Sequence, residues 1–397
     1  MFSRRLAWTS PENALARLAH ERRSRGEILD LTETNPTAVG LPYPARALGA
    51  ALGSAGADAY RPSPFGLPSA RAAVAADYAR QGTAVDAERI VLTASSSESY
   101  AFLFKLLADP GEAVLVPEPS YPLFEYLARL EGVVPLPYRL AFDGVWHIDF
   151  PSVERALRRD GTGAPRARAL VIVNPNNPTG SYLKRTELAQ LAEIAAAHDL
   201  ALVSDEVFGS YAYATDPSRV TTLAAEPVLA DVAPAFSLGG LSKACGLPQL
   251  KCGWMVVGGR DPDASMAALE LVADTYLSVG TPVQAALPEL LPLGAGLRTA
   301  IAARVEGNRA ALRSALHAGS SVTLLPAEGG WSAILRVPAT RSDEDWAAAL
   351  LDETAVLVHP GYFFDLSGGT FLVVSLLPDG ERFTEGVRRL VDLVEGR

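Results

Sequence analysis

Through the middle of the chain, short apolar runs alternate with stretches of helical periodicity, and this alternation restricts the fold more than any other feature. Residues 89–93 (RIVLT) read as a buried strand followed by a polar turn, ASSSES. Tyr100, Leu103, Phe104 and Leu107 then recur at i, i+3, i+4 and i+7, one face of a helix. That helix closes at Asp109-Pro110-Gly111, where proline cannot continue it and glycine supplies a permissive backbone. A strand from Ala113 to Val116 comes next. The cycle repeats with ALVIV (169–173), the turn NPNNPTG, a helical TELAQLAEIAAAHD (186–199) and LALVS (200–204). A further strand, Ala233 to Leu238, leads into GGLSKACGLPQLKCGW (239–254). Such alternation gives βα units, so the chain is expected to be α/β, with a mostly parallel sheet flanked by helices. Beyond about residue 280 the pattern turns to long helix, short strands and a final helix, which predicts a smaller α+β C-terminal domain.

Composition narrows the partners. A chain of 397 residues accommodates two or so domains at ~100–200 residues each. The net charge of −10 argues against nucleic acid and against an anionic membrane, both of which reward a basic surface. Any phosphate on a ligand must then be held by local groups. The N-terminal MFSRRLAWTSPENALARL has no apolar stretch long enough for a signal peptide, and no later run approaches the ~20 residues of a membrane span, so a cytoplasmic protein is expected. Cys245 and Cys252 are the only cysteines, too few for a disulfide framework or a four-cysteine zinc site. The five histidines, His20, His147, His198, His317 and His359, show no HExxH spacing, so no metal site is expected.

Lysine is scarce. It occurs only at 105, 184, 243 and 251, against 31 arginines, and two of the four lie in the one stretch 239–254. Arginine stays protonated, whereas a desolvated lysine can lose its proton and attack a carbonyl. Lys243 follows a strand end, with Gly239 and Gly240 allowing close backbone approach. Asp205, in LVSDEVF, ends an apolar strand, where a carboxylate is costly without a cationic partner such as a protonated pyridine nitrogen. Its neighbour Glu206 reads as a solvated or helix-capping carboxylate. In NPNNPTG, Asn177 offers an amide donor at the same sheet edge. Ser95, Ser96 and Ser97 stand at a helix start, where hydroxyls and unpaired N–H groups converge on an anion. Tyr121, in EPSYP, follows another strand end and presents a ring for stacking.

These motifs, in this order, resemble the class I/II aminotransferases, pyridoxal-phosphate enzymes of fold type I. The likeness covers nearly the whole chain: YRPSPFGLPSAR (60–71), ASSSESY, DPGEAVLVPEPSYP, NPNNPTG, SDEVF, and SK followed by GLP and GW. It implies a seven-stranded sheet in a large cofactor-binding domain (46–280), a small domain (281–397), and an N-terminal segment (1–45) packed on the small one. It implies that Lys243 forms the Schiff base with pyridoxal 5'-phosphate and then carries the proton between substrate Cα and cofactor. Asp205 would keep the ring nitrogen protonated, Asn177 would bond the ring hydroxyl and Tyr121 would stack on the ring. Ser96, Ser97, Ser242 and Lys251 would surround the phosphate, and Tyr60 would reach the phosphate of a second subunit, so a homodimer with shared active sites is implied. The substrates would be an amino acid and a 2-oxo acid, exchanged by a ping-pong mechanism.

Four positions depart from the family pattern. Lys251 replaces an arginine that grips the phosphate with a bidentate fork, and Gly240 replaces a serine. Phe208 stands where a tyrosine hydroxyl touches the ring oxygen; its loss raises the pKa of the Schiff base, and Tyr211 is a candidate substitute. In FLVVSLL, Val373 occupies the place of the arginine that pairs with the substrate carboxylate, two residues before Ser375. Either another cation, Arg61 for instance, makes that contact, or the substrate is not an ordinary α-amino acid. The same cofactor also serves C–S β-lyases and decarboxylases, which therefore stay open.

Overall fold

The computed structural model describes residues 2–8, 13–26, 28–53, 59–158 and 165–397; parts of the N-terminal segment, residues 1, 9–12 and 27, lie outside these. The expected strands form one large sheet. Its order is Ile90–Thr93, Gly253–Gly259, Pro234–Gly240, Ala201–Asp205, Ala167–Val173, Ala113–Glu118, Val134–Phe142 and Trp146–Ile148. Five neighbours in the middle run parallel. Gly253–Gly259 is inserted antiparallel between Ile90–Thr93 and Pro234–Gly240.

The sheet thus has eight strands where seven were expected. The eighth exists because Gly144, at φ +111, lets the chain reverse after Phe142, so that Trp146–Ile148 folds back against Leu140–Phe142. Val134–Phe142 was itself hard to read, since Pro135 and Pro137 remove ladder donors. Residues 134–139 pair only with Ala113–Glu118, on one side, and the two prolines take alternate positions along that half-open stretch.

Alternation along the central strands divides the core in two. Ala169, Val171 and Val203 pack with Leu103 and Phe104 of the helix Ser96–Leu107 and with Leu269 of Pro262–Tyr276. Leu170, Ile172 and Leu202 face the opposite way, onto Leu188 and Leu191 of Arg185–His198 and Val153 of Phe150–Leu157. A period of two over strands buried on both faces explains why they read as unbroken apolar runs.

A second, antiparallel sheet is ordered Thr323–Leu324, Ser332–Val337, Thr370–Ser375 and His359–Pro360. The helix Thr281–Ala315 runs for 35 residues despite Pro288 and Pro292, packing on Ala45–Leu52 and Pro68–Arg80 and also on Gly380–Glu395. At the other end of the chain, Leu29–Asp30 pairs in parallel with Val356–Leu357, and Ala14–Arg25 packs on Asp343–Thr354. No helix among the described residues is long and apolar enough to cross a membrane. Among them, too, no group of three or more His, Cys, Asp or Glu is placed to hold a metal ion.

Leu202 is fully buried in the strand that ends at Asp205. Leu202→Ala is expected to destabilise the fold by about 2–5 kcal/mol, the cost of lost transfer energy and a residual cavity. The shift in the urea unfolding midpoint measures it.

Candidate active site

The parallel strands deliver their C-terminal ends to one edge, where a cleft of about 500 Å³ opens toward the small sheet. Six of the expected site residues line it: Ser96, Ser97, Tyr121, Asn177, Asp205 and Lys243. Three do not. Ser242 shares the four-residue helix Leu241–Ala244 with Lys243 but is absent from the lining. Lys251 is exposed, at φ 46, just after the turn Pro248–Leu250. Tyr60 is 77% exposed and, with Arg61, borders a separate groove. Arg61 therefore does not supply a cation to this chain's own cleft.

Asp205 and Lys243 come from neighbouring strands. The register pairs Asp205 with Leu238, and Lys243 follows five residues later, one turn past the strand end. Burial drives the Asp205 carboxyl up to about 6; the Val207 N–H, the Tyr100 hydroxyl and the nearby Lys243 ammonium all pull it down. The two hydrogen bonds to Asp205 are each 3.2 Å long. Burial likewise lowers the Lys243 ammonium, with Asp205 opposing. Its Nζ lies 5.7 Å from the Phe208 ring centre and 5.3 Å from that of Trp331, so the amine is walled by aromatics.

Tyr100 is a site residue that the sequence reading counted only among the apolar positions of a helix face. A tyrosine there needs a partner for its hydroxyl, and that demand was the available signal. Trp331, Ser332 and His359 also line the cleft and carried no local signal. Ser332 Oγ donates to Asn177 Oδ1 at 2.9 Å, which leaves the Asn177 amide N–H groups to act as donors in the cleft.

Other expectations change in detail. Ser95 is the N-cap of Ser96–Leu107, accepting from the Glu98 N–H at 3.3 Å, so only Ser96 and Ser97 face the cleft, with first-turn N–H groups that have no intrahelical acceptor. The glycines beside Lys243 serve strand packing rather than a ligand. A Cβ on Gly239 would meet the Trp254 indole at 2.4 Å, and one on Gly240 would meet the Gly253 backbone at 3.2 Å. Glu206 is not solvated: it is buried, its carboxyl is raised to about 8 by desolvation, and it accepts from the Leu223 N–H and the Ser237 hydroxyl. Tyr211 cannot stand in for the missing hydroxyl at Phe208, because it donates to the Lys243 carbonyl oxygen at 2.7 Å. Val373 is 1% exposed, within an apolar cluster holding Ile334, Phe364 and Phe371.

The family model for aminotransferase class I and II matches residues 28–390, and the chain belongs to that family. Nicotianamine aminotransferase A of Hordeum vulgare is 32% identical over 233 residues, 57% of this chain and 48% of its own length. The chain thus spans about half the length of that relative. Valine–pyruvate aminotransferase of Mycobacterium tuberculosis is 28% identical over 383 residues, 94% of this chain and 92% of its own length. A solved alanine aminotransferase from Pyrococcus furiosus superposes with a TM-score of 0.86 at 23% identity, over 100% of both chains, a likeness of fold. Enzymes of this family depend on pyridoxal 5'-phosphate. The cleft fits that cofactor: it holds a poised amine, a buried carboxylate, an amide donor and a helix N-terminus whose first-turn N–H groups are free.

Two outcomes test these electrostatics. Tyr100→Phe removes a bond to the ionised carboxylate, so Asp205 should titrate above the present value of about 6, as read by NMR on carboxyl-labelled aspartate. Asp205 binds its proton more tightly folded (about 6) than at its ordinary 3.8, so stability falls as pH rises through that window and stays lower above it. In the cofactor-free protein, Asp205→Asn should therefore raise stability near pH ~8 by up to ~3 kcal/mol. That gain should vanish below pH ~4, as followed by thermal unfolding.

Proposed function

We propose that this protein is an aminotransferase that moves an amino group from an amino acid to a 2-oxo acid by a ping-pong exchange. The observation that carries the reading is the meeting of Lys243, its ammonium loosened by burial, with Asp205 on the adjacent strand of the same cleft. Bound pyridoxal phosphate supplies an electron-withdrawing ring conjugated to the reacting nitrogen. The chain's residues do the rest. Lys243 Nζ is the amine that would hold the cofactor's aldehyde carbon, and it stands where it could move the proton at the substrate Cα. Asp205 would hold the ring nitrogen protonated, the Asn177 amide would donate to the ring hydroxyl and Tyr121 would flank the ring. Phe208 and Trp331 keep water from the amine.

Ser96 and Ser97 hold the phosphate at the helix N-terminus, with Ser242 and Lys251 on its flank. Packing supports this flank, since a Cβ on Gly253, two residues past Lys251, would lie 3.1 Å from the Ser96 N. Tyr60, exposed and outside its own cleft, reaches the phosphate in a second copy, making the enzyme a homodimer with shared sites. Residues 46–280 form the cofactor domain and 281–397 the small domain, on which the segment 1–45 packs. The paucity of cysteine and the acidic charge support a cytoplasmic setting.

Val373 favours a second reading, a C–S β-lyase or decarboxylase on the same cofactor, because the usual carboxylate fork is missing. The purified protein is expected to absorb near ~420 nm and Lys243→Ala to abolish that band. A panel of amino donors with pyruvate or 2-oxoglutarate should then yield the new amino acid. Colourless protein refutes the cofactor role, and release of ammonia, pyruvate and thiol, or of carbon dioxide, would replace transfer by the second reading.

A further inference from the structure

The far wall of the cleft, across from the sheet edge, carries two rings with polar atoms, the Trp331 indole and the His359 imidazole. His359 lines the cleft and pairs in register with Val373 on the adjacent antiparallel strand, so the two side chains stand side by side on one face. The His359 ring stacks on Phe363, with centroids 5.1 Å apart and planes 9° apart, and meets Phe364 edge-on. The ring is half-buried, and its nitrogens make no hydrogen bond or ion pair among the described residues. A half-buried imidazole lining a cleft without a protein partner has a donor available to a ligand.

The surroundings define what that ligand is. Leu123, Phe124, Leu127, Phe363, Phe364 and Val373 line the same cleft, and no arginine is among its described lining residues. Lys243 is the one lysine there, already engaged by Asp205. The Asp30 carboxylate lies close enough to act on His359, where it favours protonation of the ring against the larger opposing effect of burial. A second carboxylate would enter desolvated and unpaired, which disfavours it.

We propose that His359 is the residue that contacts the substrate at this wall. Its N–H takes the single carboxylate of an amino acid whose side chain is bulky and apolar, and dicarboxylic substrates are rejected. This inference rests on the aminotransferase reading for the word substrate. Its ligand preference is nonetheless measurable without turnover.

The test is calorimetric titration of the purified protein, with its cofactor, by 3-phenylpropionate and by succinate. These two carboxylates carry no amine. We expect 3-phenylpropionate to bind at least tenfold tighter than succinate. His359→Phe, which keeps the stack on Phe363 but has no ring nitrogen, should weaken 3-phenylpropionate at least tenfold while the ~420 nm band and the thermal midpoint stay unchanged. His359→Gln, which retains an N–H donor, should recover part of the loss. Succinate binding as tight as 3-phenylpropionate, or a His359→Phe affinity within twofold of the parent, overturns the proposal. A parent protein without the absorbance band overturns the aminotransferase reading instead, and the two affinities still decide the role of His359.

Discussion

A carboxylate buried at the end of a central strand is the constraint around which this molecule is arranged. Asp205 is costly where it stands, and its surroundings offset that cost from three directions. The backbone of Val207 donates from the same turn, Tyr100 donates from the helix on one sheet face, and Lys243 faces it from the turn after the next strand. The last two arrive only through the sheet: the pairing of Asp205 with Leu238 brings Lys243 level with it, and packing of Ser96–Leu107 on the sheet brings Tyr100. The same burial that disfavours the carboxylate also loosens the lysine proton. One low-dielectric setting thus shifts both groups, each toward its neutral form.

Neighbouring carboxylates show how finely this depends on alternation. Asp205 and Glu206 are adjacent in sequence, and both are pushed upward by desolvation. Asp205 opens on the cleft. Glu206 turns away and ties the Leu223 turn to the Ser237 hydroxyl, a contact within the protein scaffold. Two similar groups take opposite roles because consecutive residues at a strand end point to opposite faces. In a chain with net charge −10, the dipole and free N–H groups of the Ser96–Leu107 N-terminus would favour an anion in the cleft, since they act over only a few ångströms.

Much of this was legible in the linear chain, for identifiable reasons. Strands such as 169–173 and 200–204 announce themselves because burial on both faces demands unbroken apolar runs. Lys243, Asp205 and Asn177 stand out because each follows such a run, and in a parallel sheet the ends of these runs share an edge. Val134–Phe142 was obscured by its prolines, which a half-open strand tolerates. The antiparallel Gly253–Gly259 was hidden because its glycines serve close packing, Gly253 against Gly240 and the Ser95–Ser96 backbone, Gly258 against Ala224 and Gly259 against Ala233.

The sequence by itself determined the kind of protein: the period of its apolar residues selects an α/β sheet, and the residue types after its strands select the cofactor. Only the tertiary structure decided which groups from distant segments converge. Tyr100 meets Asp205 across 105 positions, Ser332 meets Asn177 across 155, and His359 stands beside Val373 through strand pairing. It also committed Tyr211 to the Lys243 carbonyl and left Arg61 outside the cleft. The physical reason is range. Propensity and periodicity act over a few residues and are written locally, whereas a hydrogen bond or a shared cleft depends on backbone paths that only packing fixes.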